Sequence, residues 1–117
     1  MGWLFNKNWQ TKEDAMNHCA RLSQESIDKG WTLLCSKLCR GGFALAYKNT
    51  KTGKMSISYH LAKYERGYGY GEKEVDPFIA WDVLPKKIVD EFMELHGDEV
   101  YCGKTKREWR AETKGRC

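Results

Sequence analysis

A chain of 117 residues, with 41% hydrophobic and 13% aromatic side chains, holds enough apolar material for one packed core and too little for two. No apolar run approaches the ~18 residues of a membrane span, and the aromatic content excludes a chain disordered throughout. The net charge of +4 is unevenly placed, at −1 over residues 1–28, +7 over 29–66, −6 over 67–103 and +4 over 104–117. Such blocks are expected either to face one another inside the fold or to leave a bipolar surface with a basic patch for an anionic partner.

In chain order, the apolar opening MGWLFNKNW is expected to dock on the core as a short strand. A helix is expected from Thr11 to Asp28, with Thr11 as N-cap, Glu13 and Asp14 on the positive end of its dipole, and Gly30 just past its end. From Trp31 the hydrophobic period shortens to that of a strand, here rich enough in apolar residues to read as buried on both sides. Arg40-Gly41-Gly42 reads as a turn. Phe43, Leu45 and Tyr47 then share one face of a second strand, with Ala44 and Ala46 on the other.

Asn49–Lys54 forms a polar hairpin loop. The third strand places Met55, Ile57, Tyr59 and Leu61 on a face that needs helices over it, and Ser56, Ser58, His60 and Ala62 on a polar one. Asp82 and Pro85 suit the start of another helix, in which Leu84, Ile88, Phe92 and Leu95 follow helical spacing. Thr105-Lys106-Arg107-Glu108 is a capping-box pattern that starts a last short helix anchored by Trp109. The fold class is therefore α+β, in the order α-β-β-β-α-α. It is a single domain over residues 1–117: an antiparallel sheet of three or more strands with helices packed on one face, and a less ordered basic end at about 112–117.

The stretch from Tyr64 to Trp81 separates the basic, strand-like part from the acidic, helical one. Its alternating Gly67-Tyr68-Gly69-Tyr70-Gly71 superficially suggests a phosphate-cradling loop. No helix begins at once to supply its amide groups, however, and Glu72, Glu74 and Asp76 would repel phosphate. Two readings stay open. The stretch is a structural crossover whose tyrosines pack back on the domain, or a recognition loop in which Tyr68, Tyr70, Glu72, Glu74 and Asp76 grip a partner. Tyrosine gives large contact area at small entropic cost.

Other candidate chemistry is sparse. Cys35 and Cys39 resemble a metal pair, but residues four apart in a strand lie roughly 13 Å from each other, too far for one zinc ion. Five cysteines without an export signal read as free thiols. His60 is the histidine best placed for a catalytic role, which requires a carboxylate beside it. Lys48, Lys51 and Lys54 on the hairpin, with Lys106, Arg107, Trp109 and Arg110 near the end, combine cations with an aromatic side chain, as nucleic-acid surfaces do. No cofactor or metal is expected, no catalytic motif is present, and a cytoplasmic location in a host cell is the expectation.

The Met1-Gly2-Trp3 opening, the Gly69-Tyr70…Asp76-Pro77 segment, the apolar helix after it and the Trp109-Arg110…Cys117 ending resemble a family of short proteins of unknown function carried by phages, plasmids and other mobile elements. Leu84-Pro85 stands where that family has Cys-Pro, and Asp76-Pro77 where it has Gly-Pro. The resemblance implies a mobile-element origin and supplies no catalytic residues. It leads to the expectation of a small non-catalytic protein that binds a host macromolecule, protein rather than nucleic acid, as an inhibitor of host defence. A nucleic-acid-binding module using the basic hairpin and C-terminal helix is the alternative.

Overall fold

The structure, a computed structural model, describes the strand residues Leu4–Phe5 and residues 9–113. Its elements are β1 (Leu4–Phe5), α1 (Lys12–Ala20), α2 (Gln24–Asp28), β2 (Trp31–Cys39), β3 (Gly42–Asn49), β4 (Met55–Glu65), β5 (Gly69–Val75), α3 (Phe78–Val83), α4 (Lys86–His96), β6 (Val100–Tyr101), β7 (Lys104–Thr105) and α5 (Lys106–Thr113). Strands β2 to β5 form an antiparallel meander, and β1 adds to the far side of β5, giving the order β1-β5-β4-β3-β2. The α+β class with an antiparallel sheet is therefore observed, with five strands in the main sheet. The less ordered end expected at about 112–117 falls mostly outside the described residues.

The inner strand β3 shows why the sheet is covered on both faces. Ala44 and Ala46 pair with Tyr59 and Ile57 of β4 and share the main core with Trp81, Leu84, Val89, Phe92 and Met93 of the C-terminal helical half. Phe43 and Leu45 point the other way, against Ala15 of α1, with Trp9, Met16, Tyr47 and Tyr70 around them. All four of these β3 side chains are fully buried. Helices α3, α4 and α5 thus take the face expected for them, while α1 covers part of the face expected to be polar. This corrects the one-sided arrangement. The apolar stripe on the first helical segment has its own sheet surface to bury.

Several boundaries follow local chemistry. The helix expected over 11–28 is two helices. Thr11 caps α1 through a reciprocal bond pair with Asp14, and Ser23 caps α2 by accepting from Ser26 N–H. Two N-cap residues within thirteen positions allow the break at Arg21–Ser23. The helix expected around Asp82–His96 is likewise two. Asp82 lies inside α3, and Pro85, which cannot continue that helix, sits at the N-cap of α4. Arg40 and Gly41, at φ 49° and 79°, close the β2–β3 hairpin in the doubly left-handed turn that matches strand twist. Tyr59 Oη donates to the carbonyl of Cys39 beneath this turn at 2.7 Å.

Strand β2 departs most from expectation. Its apolar pattern predicts burial on both sides, yet it is the last strand of the sheet, with Leu33 and Leu34 40% exposed and Leu38 42% exposed. Helices α1 and α2 touch β2 and Cys35 packs on the main core, yet its leucines at 33, 34 and 38 stay partly exposed. Ala46 is fully buried in the core shared by the sheet and the C-terminal helices. Ala46→Leu should destabilise the fold by about 1–3 kcal/mol through overpacking, read as a lower midpoint of urea unfolding with an unchanged slope.

Candidate functional site

The glycine–tyrosine stretch is neither a crossover nor a loop for most of its length. It is the return strand of the β4–β5 hairpin, with Tyr64 opposite Tyr70 and Glu65 opposite Gly69. Residues 66–68 form the turn, in which Tyr68 N–H donates to the Glu65 carbonyl at 2.9 Å. Gly67 and Gly69 take φ of 88° and 80°, values that L side chains rarely adopt. The glycines therefore serve the turn and the strand entry, and leave no phosphate cradle.

The five residues singled out on this stretch are not brought to one surface. Tyr68 is 52% exposed at the hairpin tip, beside an equally exposed Tyr64. Tyr70 meets Tyr64 edge-on at 5.2 Å and leans into the cluster around Phe43 and Leu45. Glu72 is turned inward onto His60, with its Oε2 3.2 Å from His60 Nδ1. Glu74 is exposed, and its side chain makes no hydrogen bond or ion pair among the described residues. Asp76 accepts from the Tyr101 hydroxyl at 2.7 Å, linking the end of β5 to β6.

His60 does stand beside a carboxylate. Its side chain and that of Glu72 are only 14% and 16% exposed, and its ring stacks on Phe43 at 5.5 Å. The Cys19 thiol of α1 completes a polar cluster between helix and sheet. Burial, reinforced by the charge of Glu72 and a hydrogen bond to it, pushes Cys19 up to about 12. The thiol therefore stays protonated at neutral pH, the opposite of the activation that a nucleophilic cysteine needs. The cluster ties α1 to β4 and β5. Tyr47 adds to it by donating to the Cys19 carbonyl at 3.3 Å. Among the described residues no group of three acidic, histidine or cysteine side chains is arranged to hold a metal ion. Cys39 is disulfide-bonded, which corrects the free-thiol reading for that residue. Cys19, Cys35 and Cys102 are free.

The cations proposed for nucleic acid are largely engaged within the chain. Lys48 pairs with Glu91, Lys106 with Glu99, Arg107 with Asp98 and Arg110 with Asp90. Lys51 Nζ donates to the Asp28 carbonyl at 2.7 Å, and Lys54 is exposed. Trp109 is not free for base stacking. Its indole N–H donates to the Tyr101 carbonyl, and its ring stacks on Phe78 at 4.7 Å with Lys104 over it at 4.8 Å. The basic C-terminal block thus lies against the acidic block before it, as the facing-halves reading expected. The pairing holds Asp90 and Glu99 below the ordinary carboxylate range, mainly through Lys86 and Lys106 respectively.

The surface that the sequence reading missed is the edge of β2. Leu33 pairs opposite Tyr47 and Leu38 opposite Phe43, so both extend the Phe43 face beyond the area that α1 covers. The register shifts between Leu33 and Cys35, leaving Leu34 in a bulge. Ile27 of α2 adds a fourth apolar side chain, 50% exposed. Periodicity reports that a strand wants burial and says nothing about what buries it. The available signal was the lack of a further strand-like segment to pair beyond Trp31–Cys39.

No protein-family model, curated protein or solved structure matches this chain. No helix among the described residues is long and apolar enough to cross a membrane.

Two measurements check this geometry. The Asp76 carboxylate beside Tyr101, with burial added, raises that phenol from 10.0 to about 12. A neutral acid whose value is raised by folding stabilises the fold at pH below its unfolded value, and that contribution disappears as pH climbs from about 10 to about 12. Ultraviolet titration, taken as the difference between wild type and Tyr101→Phe, should place this phenol near 12 in wild type and shift it down toward its ordinary value in Asp76→Asn. In native protein at neutral pH, iodoacetamide followed by peptide mapping should label exposed Cys102 well before Cys19.

Proposed function

We propose that this chain is a non-catalytic binding protein that takes an extended segment of a partner protein onto the open edge of its sheet. The observation that carries the reading is β2 itself, a nine-residue strand at the end of the sheet with Leu33, Leu34 and Leu38 exposed along it. An edge strand offers a row of backbone donors and acceptors, and an added strand gains affinity from that ladder and specificity from alternate side chains. Leu33 and Leu38 supply the apolar contacts on one face. The bulge at Leu34 and the charge of Lys37 interrupt the edge, devices that limit indiscriminate edge-to-edge pairing.

The resemblance to mobile-element proteins supports a partner in the host, and an inhibitor of host defence is the role consistent with a small binding protein of that origin. Binding would act by occupying a surface that the partner needs. The nucleic-acid alternative has less to stand on, because four of its seven side chains are held in ion pairs and Trp109 is packed.

The test compares tagged wild type with a Leu33→Lys, Leu38→Lys double variant in capture from nuclease-treated host lysate, with cross-linking to locate the contact. The variant should fold, since both side chains are exposed. It should retain its partner at least about tenfold less well, as expected when two apolar anchors are lost, and wild-type cross-links should fall on residues 31–39. Equal recovery of the same protein by both forms would show that the edge is not the binding surface.

A further inference from the structure

The start of β4 is held on one side by a side chain instead of a strand. The β3–β4 ladder runs to Met55 opposite Lys48, but the β4–β5 ladder stops at Tyr59 opposite Val75. Where β5 leaves β4, a cavity of about 250 Å³ opens, with Met55, Ile57, Phe92 and Lys106 in its walls. Met55 N–H donates to Nε2 of His96, the last residue of α4, at 3.0 Å. The His96 side chain is 11% exposed, its ring tilts against Phe92 at 5.1 Å, and its Nδ1 lies 2.7 Å from Glu99 Oε2.

These two contacts fix where the imidazole proton sits. A backbone N–H can only donate, so Nε2 offers its lone pair and the single ring proton is on Nδ1, aimed at Glu99. A second proton has only Nε2 to go to, where it would meet Met55 N–H donor to donor. His96 therefore cannot be cationic and keep Met55. Its other surroundings suit a cation, since Glu99 faces the ring and the ring stands at the carbonyl end of α4. Glu99 is held below the ordinary carboxylate range, by Lys106 first and His96 second, so it stays charged where an imidazole ordinarily gains its proton. Lys106 of α5 takes the second oxygen of Glu99 at 2.7 Å, and Asp98 of the turn pairs with Arg107, which also donates to the Met93 carbonyl. The loop before β4 brings the exposed Lys54, and β3 meets α4 through Lys48 on Glu91.

We propose that His96 is a proton-operated latch on the start of β4. Neutral, it bridges Met55 to Glu99 and joins the sheet to the end of α4. Protonated at Nε2, it gives up the Met55 N–H while its bond to Glu99 becomes an ion pair, so a neutral hydrogen bond is exchanged for a charge-assisted one. The release is local, because Lys48–Glu91 and the apolar core still hold α4 to the sheet. It loosens the Met55 wall of the cavity, and it is independent of the β2 edge.

The test is nuclear magnetic resonance of the full chain, ¹⁵N-labelled and titrated from about pH 8 to about pH 5, with the His96 ring signals assigned from their absence in His96→Gln. The Met55 amide signal should move with the same midpoint as the His96 ring. Its protection from hydrogen exchange, corrected for the intrinsic effect of pH, should fall about tenfold, as for one lost hydrogen bond. The amide of fully buried Ala46 should keep its protection. In His96→Gln the Met55 signal should no longer titrate over this range, and the wild-type comparison stands if that variant folds poorly. A His96 ring that gains its proton with the Met55 amide unmoved, or gains none in this range, would overturn the latch. So would a Met55 titration that persists in His96→Gln, or protection lost at Ala46 together with Met55, which is global unfolding.

Discussion

The two-sided burial of β3 is the constraint on which the rest of this structure depends. Phe43 and Leu45 face one way, Ala44 and Ala46 the other, and none of the four is exposed. Large side chains on the α1 face reach across to a short helix that brings only Ala15, Met16, Cys19 and Ala20. Small side chains on the other face admit Trp81 and Phe92 close to the sheet. A one-residue register slip would exchange these sets and leave each face with the wrong volume. The alternation thus fixes which helices lie on which side, and with it the positions of every candidate surface.

The consequence is an uneven covering. The C-terminal helices and their ion pairs close the Ala44 face, apart from the cavity where β5 diverges. The N-terminal helices cover only part of the Phe43 face, and the sheet runs past them to β2, its last strand among the described residues. The charge blocks are absorbed mainly between β3 and α4 and between α4 and α5, through Lys48–Glu91 and Arg110–Asp90. What remains available for recognition is therefore an apolar edge more than a charged face. This is why the proposed partner is a protein segment rather than a polyanion.

How far this could be read from the residues varied with the range of the forces involved. Local chemistry was legible: the Thr11 and Thr105 caps, the Arg40-Gly41 turn and the alternation of β3 and β4 all follow from neighbours a few positions apart. What failed was long-range. Nothing in Trp31–Cys39 says whether a further strand lies beyond it, and nothing in Tyr64–Val75 says that Tyr64 will face Tyr70 across a turn. The glycines at 67, 69 and 71 masked the strand by lowering its apparent propensity, although two of them serve its entry. His60 stands out in the sequence with no partner named for it; the structure supplies Glu72, and the protonated Cys19 beside the pair makes that cluster a tie between α1 and the sheet. That the Trp81 indole N–H has no partner among the described residues is visible only in the structure.

The most direct test of recognition at the sheet edge is amide hydrogen exchange of the chain alone and in complex with its captured partner. Strand addition should slow exchange at alternate amides of Trp31–Cys39, with the largest change near Ser36–Leu38 and little at the hairpin tip. Protection centred on Tyr64–Tyr70, with β2 amides exchanging as in the free chain, would contradict it and move the binding surface to the tyrosine hairpin.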